Sequence, residues 1–157
     1  MDFPTMNDLT FRPATHNDLA RVIELLADDA LGTSREDLSD PPAPAYQKAF
    51  AEITDDPRNE LIVATLNEDV VGCLQLTYIP GLSRRGAERA QIESVRVAST
   101  LRGQGYGQKL FEWAIERARD KNCALVQLTT DTSRAGAQEF YQRLGFTPSH
   151  VGMKLSL

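Results

Sequence analysis

The stretch Arg102-Gly103-Gln104-Gly105-Tyr106-Gly107 constrains this chain more than any other feature. It follows the apolar run Ile92-Glu93-Ser94-Val95-Arg96-Val97 and opens an amphipathic segment over 108–121. The order is therefore strand, glycine-rich turn, helix. Glycines at alternate positions leave backbone N–H groups unshielded by side chains. The first turn of a helix adds unpaired N–H groups and a partial positive charge. Together they suit a phosphate or pyrophosphate. The same turn also serves a chain that needs only backbone freedom, because a lone glycine-rich turn is a weak signal.

The rest of the pattern sets this unit in a mixed fold. Residues 9–13 read as a strand, and Thr15 with Asp18 as a capping-box-like pair before a helix. Leu19, Val22, Ile23 and Leu26 recur at helical spacing. A Ser, Asp and Pro-rich loop spans 32–44, and a second helix starts near Pro44 with Tyr46, Ala49, Phe50 and Ile53 on one face. Residues 61–66 and 70–78 form a hairpin about Asn67-Glu68-Asp69. Strands over 90–97 and 124–130 flank the glycine turn and its helix. A helix over 134–144 then presents Ala137, Phe140, Tyr141 and Leu144, with Gly145 placed to cap it. Short closing strands are expected over 146–148 and 151–155. The economical solution is a single α/β domain over 1–157, with its core at about 9–155. Its sheet is expected to be mixed, mostly antiparallel, with about six to seven strands and helices on both faces.

Composition narrows the function classes. At 157 residues, 41% hydrophobic and 25% charged, the chain reads as a soluble globular domain. No run approaches the roughly 20 apolar residues of a membrane span, and Met1-Asp2-Phe3-Pro4 lacks a signal-peptide pattern. A cytoplasmic location without membrane attachment is the expectation. The net charge of −5 argues against general nucleic-acid binding and is compatible with a cationic small substrate. Two cysteines, Cys73 and Cys123, lie in apolar neighbourhoods and are expected as buried free thiols. With only two histidines beside them, no metal site is expected.

Three ligand classes compete for the turn. A P-loop needs Lys then Ser or Thr after its last glycine, but Gly107 is followed by Gln108, Lys109 and Leu110. A dinucleotide fold would use Asp131, after the next strand, yet the third glycine position counted from Gly103 is Gln108. The turn also comes late, leaving room for one further crossover. The third class is coenzyme A. Arg102-x-x-Gly105-x-Gly107, preceded by Glu93-Ser94-Val95-Arg96-Val97, resembles the coenzyme A motif of the GNAT-type N-acetyltransferases. Phe11-Arg12-Pro13-Ala14 with Asp18-Leu19 looks like that superfamily's opening, and Phe140-Tyr141-Gln142-Arg143-Leu144-Gly145-Phe146 like its closing helix and strand. Many members carry Asn seven residues before the tyrosine, where this chain has Arg134.

The resemblance implies acetyl-CoA as co-substrate and a small-molecule or peptide amine as acceptor. It places the pyrophosphate on the N–H groups of Arg102, Gly103, Gln104, Gly105, Tyr106 and Gly107, with Arg134 beside the cofactor. It sets the pantetheine amides against the backbone of Val95 and Val97, with the Val95 N–H able to polarise the thioester carbonyl. Ile92 and Val95, three apart, share a face only if the strand is bulged; a strand covered on both faces needs no bulge.

Glu93 is the one acid in that strand and the first candidate for general base. A carboxylate's ordinary pKa of about 4.3 asks for upward tuning or a water relay. A salt-bridged strand glutamate is the plainer alternative. Tyr141 is the candidate proton donor to the leaving thiolate; a core aromatic is its plainer reading. His150 offers another base or a substrate contact, and His16 is read as structural. Arg84 and Arg85 are candidates for an anionic part of the substrate. Asp28 and Asp29 end the first helix, where acids oppose the dipole, which marks them for the acceptor pocket. A homodimer is compatible with these features. Two other functions stay open: a regulatory module that binds acyl-CoA without turnover, and a dinucleotide-binding protein.

Overall fold

The first strand is locked to the first helix by one carboxylate. In the computed structural model, which describes residues 8–134 and 136–157, the Thr15 N–H and hydroxyl both donate to Asp18 Oδ2, at 2.7 and 2.9 Å. Arg12 meets the same carboxylate with two parallel bonds, Nη1 to Oδ2 at 2.7 Å and Nη2 to Oδ1 at 2.9 Å. β1 (Thr10–Pro13) is thereby fastened to the start of α1 (Leu19–Ala27). The Arg12 guanidinium holds the buried Asp18 carboxyl at about 2, below its ordinary 3.8, with the two Thr15 donors adding to the effect.

Leu19, Val22 and Ile23 are buried as their spacing predicts; Leu25 joins them, and Leu26 is half-buried. α2 (Pro44–Asp55) begins at the predicted proline, but it lies shallow. Tyr46, Phe50 and Ile53 are half-buried and Ala49 is exposed. β2 (Asn59–Leu66) and β3 (Asp69–Ile79) form the expected antiparallel hairpin. Its two connecting residues, Asn67 and Glu68, both have positive φ, 49° and 72°, the backbone that matches strand twist across a two-residue loop.

β4 (Arg89–Val97) adds antiparallel to β3. α3 (Tyr106–Asp120) crosses back, so β5 (Leu125–Gln127) lies parallel to β4. α4 (Ala137–Arg143) follows, and Gly145, at φ 94°, ends it. The sheet runs β1-β2-β3-β4-β5 with helices on both faces. Alternate strand residues feed two cores. Ile62, Leu74, Leu76 and Ile92 pack with Leu110, Phe111 and Ala114 of α3. Val63 and Cys73 pack with Val22 and Leu25 of α1. Trp113 stacks on Phe11 at 5.5 Å between centroids, at the edge of its helix. Both cysteines are free thiols; Cys73 is buried and Cys123 half-buried.

The sheet has five strands among the described residues, not six to seven. Residues 146–148 and 151–155 form no ladder. Pro148 has no N–H to donate. Val151, Met153 and Leu155 alternate as a strand would, but they are 89%, 91% and 86% exposed. Alternation is rewarded only where a neighbour covers one face, and the described chain supplies none. The β5 ladder likewise stops at Gln127, short of the expected residue 130.

The Asp18 contact is testable. Asp18→Asn should destabilise the protein by about 1–2 kcal/mol at neutral pH, after discounting for the half-exposed arginine. A carboxyl whose pKa falls on folding contributes fully above its unfolded value and loses that contribution as pH drops towards the folded one. The gap between wild type and variant should therefore close between pH 3.8 and about 2, followed by urea denaturation across that range.

Candidate active site

One extra residue in β4 shapes the site. Gln75 faces Glu93 and Cys73 faces Arg96, so Leu74 spans both Ser94 and Val95. That is a β-bulge, with Ser94 in the left-handed region at φ 54°. Ile92 and Val95 consequently both face α3, as the bulged reading of their spacing expects. Glu93 and Arg96 are brought together on the opposite face by the same residue.

β4 leaves its neighbour on the other side three residues before the bulge. Pairing with β5 ends at Gln91 opposite Gln127, where the Gln127 side chain donates to Gln91 Oε1 at 2.8 Å. Beyond that clasp the strands diverge, and a cavity of about 480 Å³ opens between Ile92–Arg96 and Leu128–Thr132. Tyr141 lines it from α4, and Phe111 from α3. Glu93 is exposed on its wall. The Tyr141 ring is wedged against Phe111, Phe140 and Phe146 at centroid distances of 5.4, 5.5 and 6.2 Å. Its hydroxyl makes no hydrogen bond among the described residues.

The glycine turn stands just past the open end of β4. Gly103 and Gly105 have φ of 74° and 90°, which L side chains resist. The N–H groups of Gly103, Gln104 and Gly105 find no protein acceptor among the described residues. Those of Tyr106 and Gly107 follow in the first turn of α3, where no intrahelical partner exists. Arg102 fastens the turn instead of pointing into it. Its Nε donates to the Val97 carbonyl at 3.1 Å and its Nη2 to the Asp28 carbonyl.

Asp28 and Asp29 have partners that offset their helix-end position. Asp28 Oδ2 accepts the Ser99 N–H at 2.8 Å, which holds its carboxyl below the usual aspartate range with help from Arg102. Burial pushes Asp29 upward, but the Gly32 N–H, Arg134 and Arg96 outweigh it and leave the carboxyl low. Arg134 Nη2 lies 2.8 Å from Asp29 Oδ2 but off the hydrogen-bonding direction, and Arg96 Nε, at 3.6 Å, is too far for a hydrogen bond. These are ion pairs, and the buried Arg96 Nε keeps no aligned acceptor.

The structure thus gathers Glu93, Val95, Tyr141 and Arg134 at one cavity. Asp29 pairs with two of its lining arginines, and Val97 and the turn from Arg102 to Gly107 follow its β4 wall along the chain without lining it. It does not bring in the other candidates. His150 is exposed, its Nδ1 2.7 Å from Ser149 Oγ, and it does not line the cavity. Arg84 and Arg85 sit in an exposed turn with φ of 54° and 62°, away from the cavity. Arg35, Arg96 and Lys154 were not singled out in the sequence, and Asp131 only as the acid of a dinucleotide fold; all four line it. For Arg96 the signal was present, since a bulge that pairs Ile92 with Val95 must also pair Glu93 with Arg96. The other three come from loops and the C-terminal stretch, which have no periodicity to read.

Comparison with known proteins places the chain by family and fold. The profile of the acetyltransferase (GNAT) family matches residues 20–146. The chain is similar to the aminoalkylphosphonate N-acetyltransferase of Salmonella typhimurium, 32% identical over 106 residues that span 68% of each chain. It superimposes on the crystal structure of a transcriptional regulator from Bacillus halodurans C-125, with TM-score 0.92, 49% identity, and coverage of 95% of this chain and 99% of that one. An acetyltransferase from Trypanosoma brucei gives TM-score 0.77 and 27% identity over 96% of this chain and 100% of its own.

The bulge can be probed without any ligand. A branched side chain resists the left-handed backbone by about 1–2 kcal/mol, whereas glycine accepts it. Ser94 already bears part of that cost, so Ser94→Gly should hold or raise unfolding stability and Ser94→Val should lower it, the two variants differing by about 1–2 kcal/mol. Equal stabilities for the two variants in chemical denaturation would mean that Ser94 does not carry the bulge.

Proposed function

The chain belongs to the acetyltransferase (GNAT) family of acetyl-CoA-dependent N-acetyltransferases, and on that premise we propose that it acetylates a primary amine by direct attack in a ternary complex. The observation that carries the reading is the parting of β4 from β5 beyond Gln91 and Gln127. It exposes strand backbone beside an acid, Glu93, and a phenol, Tyr141, at the end of a turn with free N–H groups.

Each part has a task. The N–H groups of the turn from Arg102 to Gly107 hold the cofactor's pyrophosphate, each such bond to a charged group contributing roughly 1.5–3 kcal/mol. The freed backbone at Val95 and Val97 pairs with the pantetheine amides and aligns the arm along β4. The thioester supplies the acetyl group: an N–C bond forms as the C–S bond breaks, one proton leaves the amine, and one reaches the departing thiolate. Glu93 takes the first proton through a water, being exposed on the cavity wall rather than locked in an ion pair. Tyr141 gives the second; its ring is held on three sides by aromatic neighbours while its hydroxyl stays free. The Val95 N–H polarises the carbonyl.

The acceptor is a small amine or a peptide amine; the similarity to an aminoalkylphosphonate acetyltransferase supports the small-molecule end. We place the activity in the cytoplasm, and no helix among the described residues is long and apolar enough to cross a membrane. A second reading, a regulatory module that binds acyl-CoA without turnover, draws on the name of the Bacillus halodurans protein. Thiol release separates the two.

Saturation with acetyl-CoA at 100 times its Kd should add about 2.7 kcal/mol and raise Tm by about 5–10 °C, while NAD leaves it unchanged. Gly105→Val should abolish that rise in a folded protein, because valine blocks the close approach and resists φ of 90°. A larger shift with NAD would replace acetyl-CoA by a dinucleotide.

For the acid–base groups, Glu93→Gln should lower kcat by about 10²–10⁴ with acetyl-CoA affinity nearly constant. Tyr141→Phe should show a comparable fall while its aromatic packing persists. If His150→Ala loses activity and Glu93→Gln retains it, histidine is the base and this assignment fails.

A further inference from the structure

The cavity carries a charge pattern that acetyl transfer by itself does not use. Arg35, Arg96, Arg134 and Lys154 all line it, facing Glu93 and Asp131, in a chain whose net charge is −5. They arrive from four separate places: the turn after α1, β4, the loop after β5, and the C-terminal stretch. Like charges gathered from independent segments draw an anion into the cavity they line, and Arg35 and Lys154 are exposed and open to one. Asp29 is one such anion, but its single charge is shared between two guanidinium groups and lies closest to Arg134. Its other oxygen is held by the Leu31 and Gly32 N–H groups, at 3.0 and 2.5 Å. Asp131 is engaged by the Ser133 N–H and hydroxyl, at 2.9 and 2.6 Å. Arg35 and Lys154 make no contact ion pair among the described residues, although Asp131 attracts Arg35 and Arg134 from farther off, and the Arg96 Nε is buried without an aligned acceptor.

The cofactor's phosphates do not account for this excess. No residue of 97–107 lines the cavity, so the phosphate turn lies outside it, and the pantetheine arm is uncharged. The cations therefore stand at the acetyl and acceptor end, with Glu93. Because the bulge makes Glu93 and Arg96 same-face neighbours, their Cα atoms are separated by about 7 Å, two strand steps.

We propose that the acceptor is a zwitterionic amine with a short spacer, its anionic group (phosphonate, phosphate or carboxylate) held by Arg35, Arg96 and Lys154 while its ammonium faces Glu93. The inference rests on the acetyltransferase reading above. Guanidinium forks match the paired oxygens of all three anions, and Lys154 adds a point charge at the rim. Asp29 acts as a positioning residue that holds Arg134 and Arg96 at the cavity wall.

The test measures thiol release at saturating acetyl-CoA with aminoethylphosphonate, phosphoethanolamine, β-alanine, propylamine and spermidine, alongside acetyl-CoA binding by titration. The anionic amines should exceed propylamine and spermidine in kcat/KM by about a hundredfold. Comparing the phosphonate, the phosphate ester and the carboxylate identifies which anion is preferred. Arg35→Ala and Lys154→Ala should each reduce kcat/KM for the preferred anionic amine by about tenfold or more, through KM rather than kcat. Acetyl-CoA affinity should be preserved in both. Arg35→Glu should reverse the preference towards spermidine, while Lys48→Ala, on the exposed side of α2, should leave the preference as it is. Acetyl-CoA binding together with thiol release from propylamine or spermidine equal to that from the anionic amines overturns the inference alone. So does a preference that survives both Arg35→Glu and Lys154→Glu. Failure to bind acetyl-CoA overturns the acetyltransferase reading with it.

Discussion

A β-strand has two edges and two faces, and the cavity of this chain depends on spoiling one of each. The extra residue at Ser94 breaks the alternation of β4, so Ile92 and Val95 share the core face while Glu93 and Arg96 share the other. Within the same span the strand loses its parallel partner, because the β5 ladder ends at Gln127. Backbone that would have been consumed in a ladder is left available to a ligand. An unpaired edge in a closed core would be costly, but here the gap opens into the cavity beside Glu93 and Tyr141. The sheet on the other side of β4 stays intact from Ile79 to Gly72 apart from the bulge, so the site has a rigid back wall.

The end of α1 is the second point on which the site turns. Two adjacent aspartates at a helix C-terminus oppose the dipole. Each is offset by specific donors. Asp28 takes the Ser99 N–H and its backbone takes Arg102, which joins α1 to the glycine turn. Asp29 takes the Gly32 N–H and attracts Arg96 and Arg134, which joins α1 to β4 and to the loop beyond β5. The local conflict at the helix end thus serves three distant segments, and it explains why acids occupy positions where propensity disfavours them.

Much of this was legible in the chain. Helical spacing located α1 with its buried face, the amphipathic run over 108–121 marked α3, and Asn67-Glu68 marked the hairpin. The three-residue interval from Ile92 to Val95 pointed to the bulge, and the alternate glycines pointed to a turn with positive φ at Gly103 and Gly105. The closing strands were not found. Val151, Met153 and Leu155 alternate like a half-buried strand, yet alternation says only that one side is apolar, not that anything covers it.

What the sequence determined by itself was therefore the local geometry: turns that demand positive φ, helices with one apolar face, and the strand–turn–helix unit whose N–H groups suit a phosphate. These follow from interactions within a few residues, and such interactions leave a periodic or positional trace. Only the tertiary structure decided the rest. It set the sheet at five strands among the described residues, parted β4 from β5, and carried Arg35, Arg134 and Lys154 to a common cavity while leaving Arg84, Arg85 and His150 outside. Charges meet through space, across loops whose lengths carry no register, so their convergence has no signature along the chain.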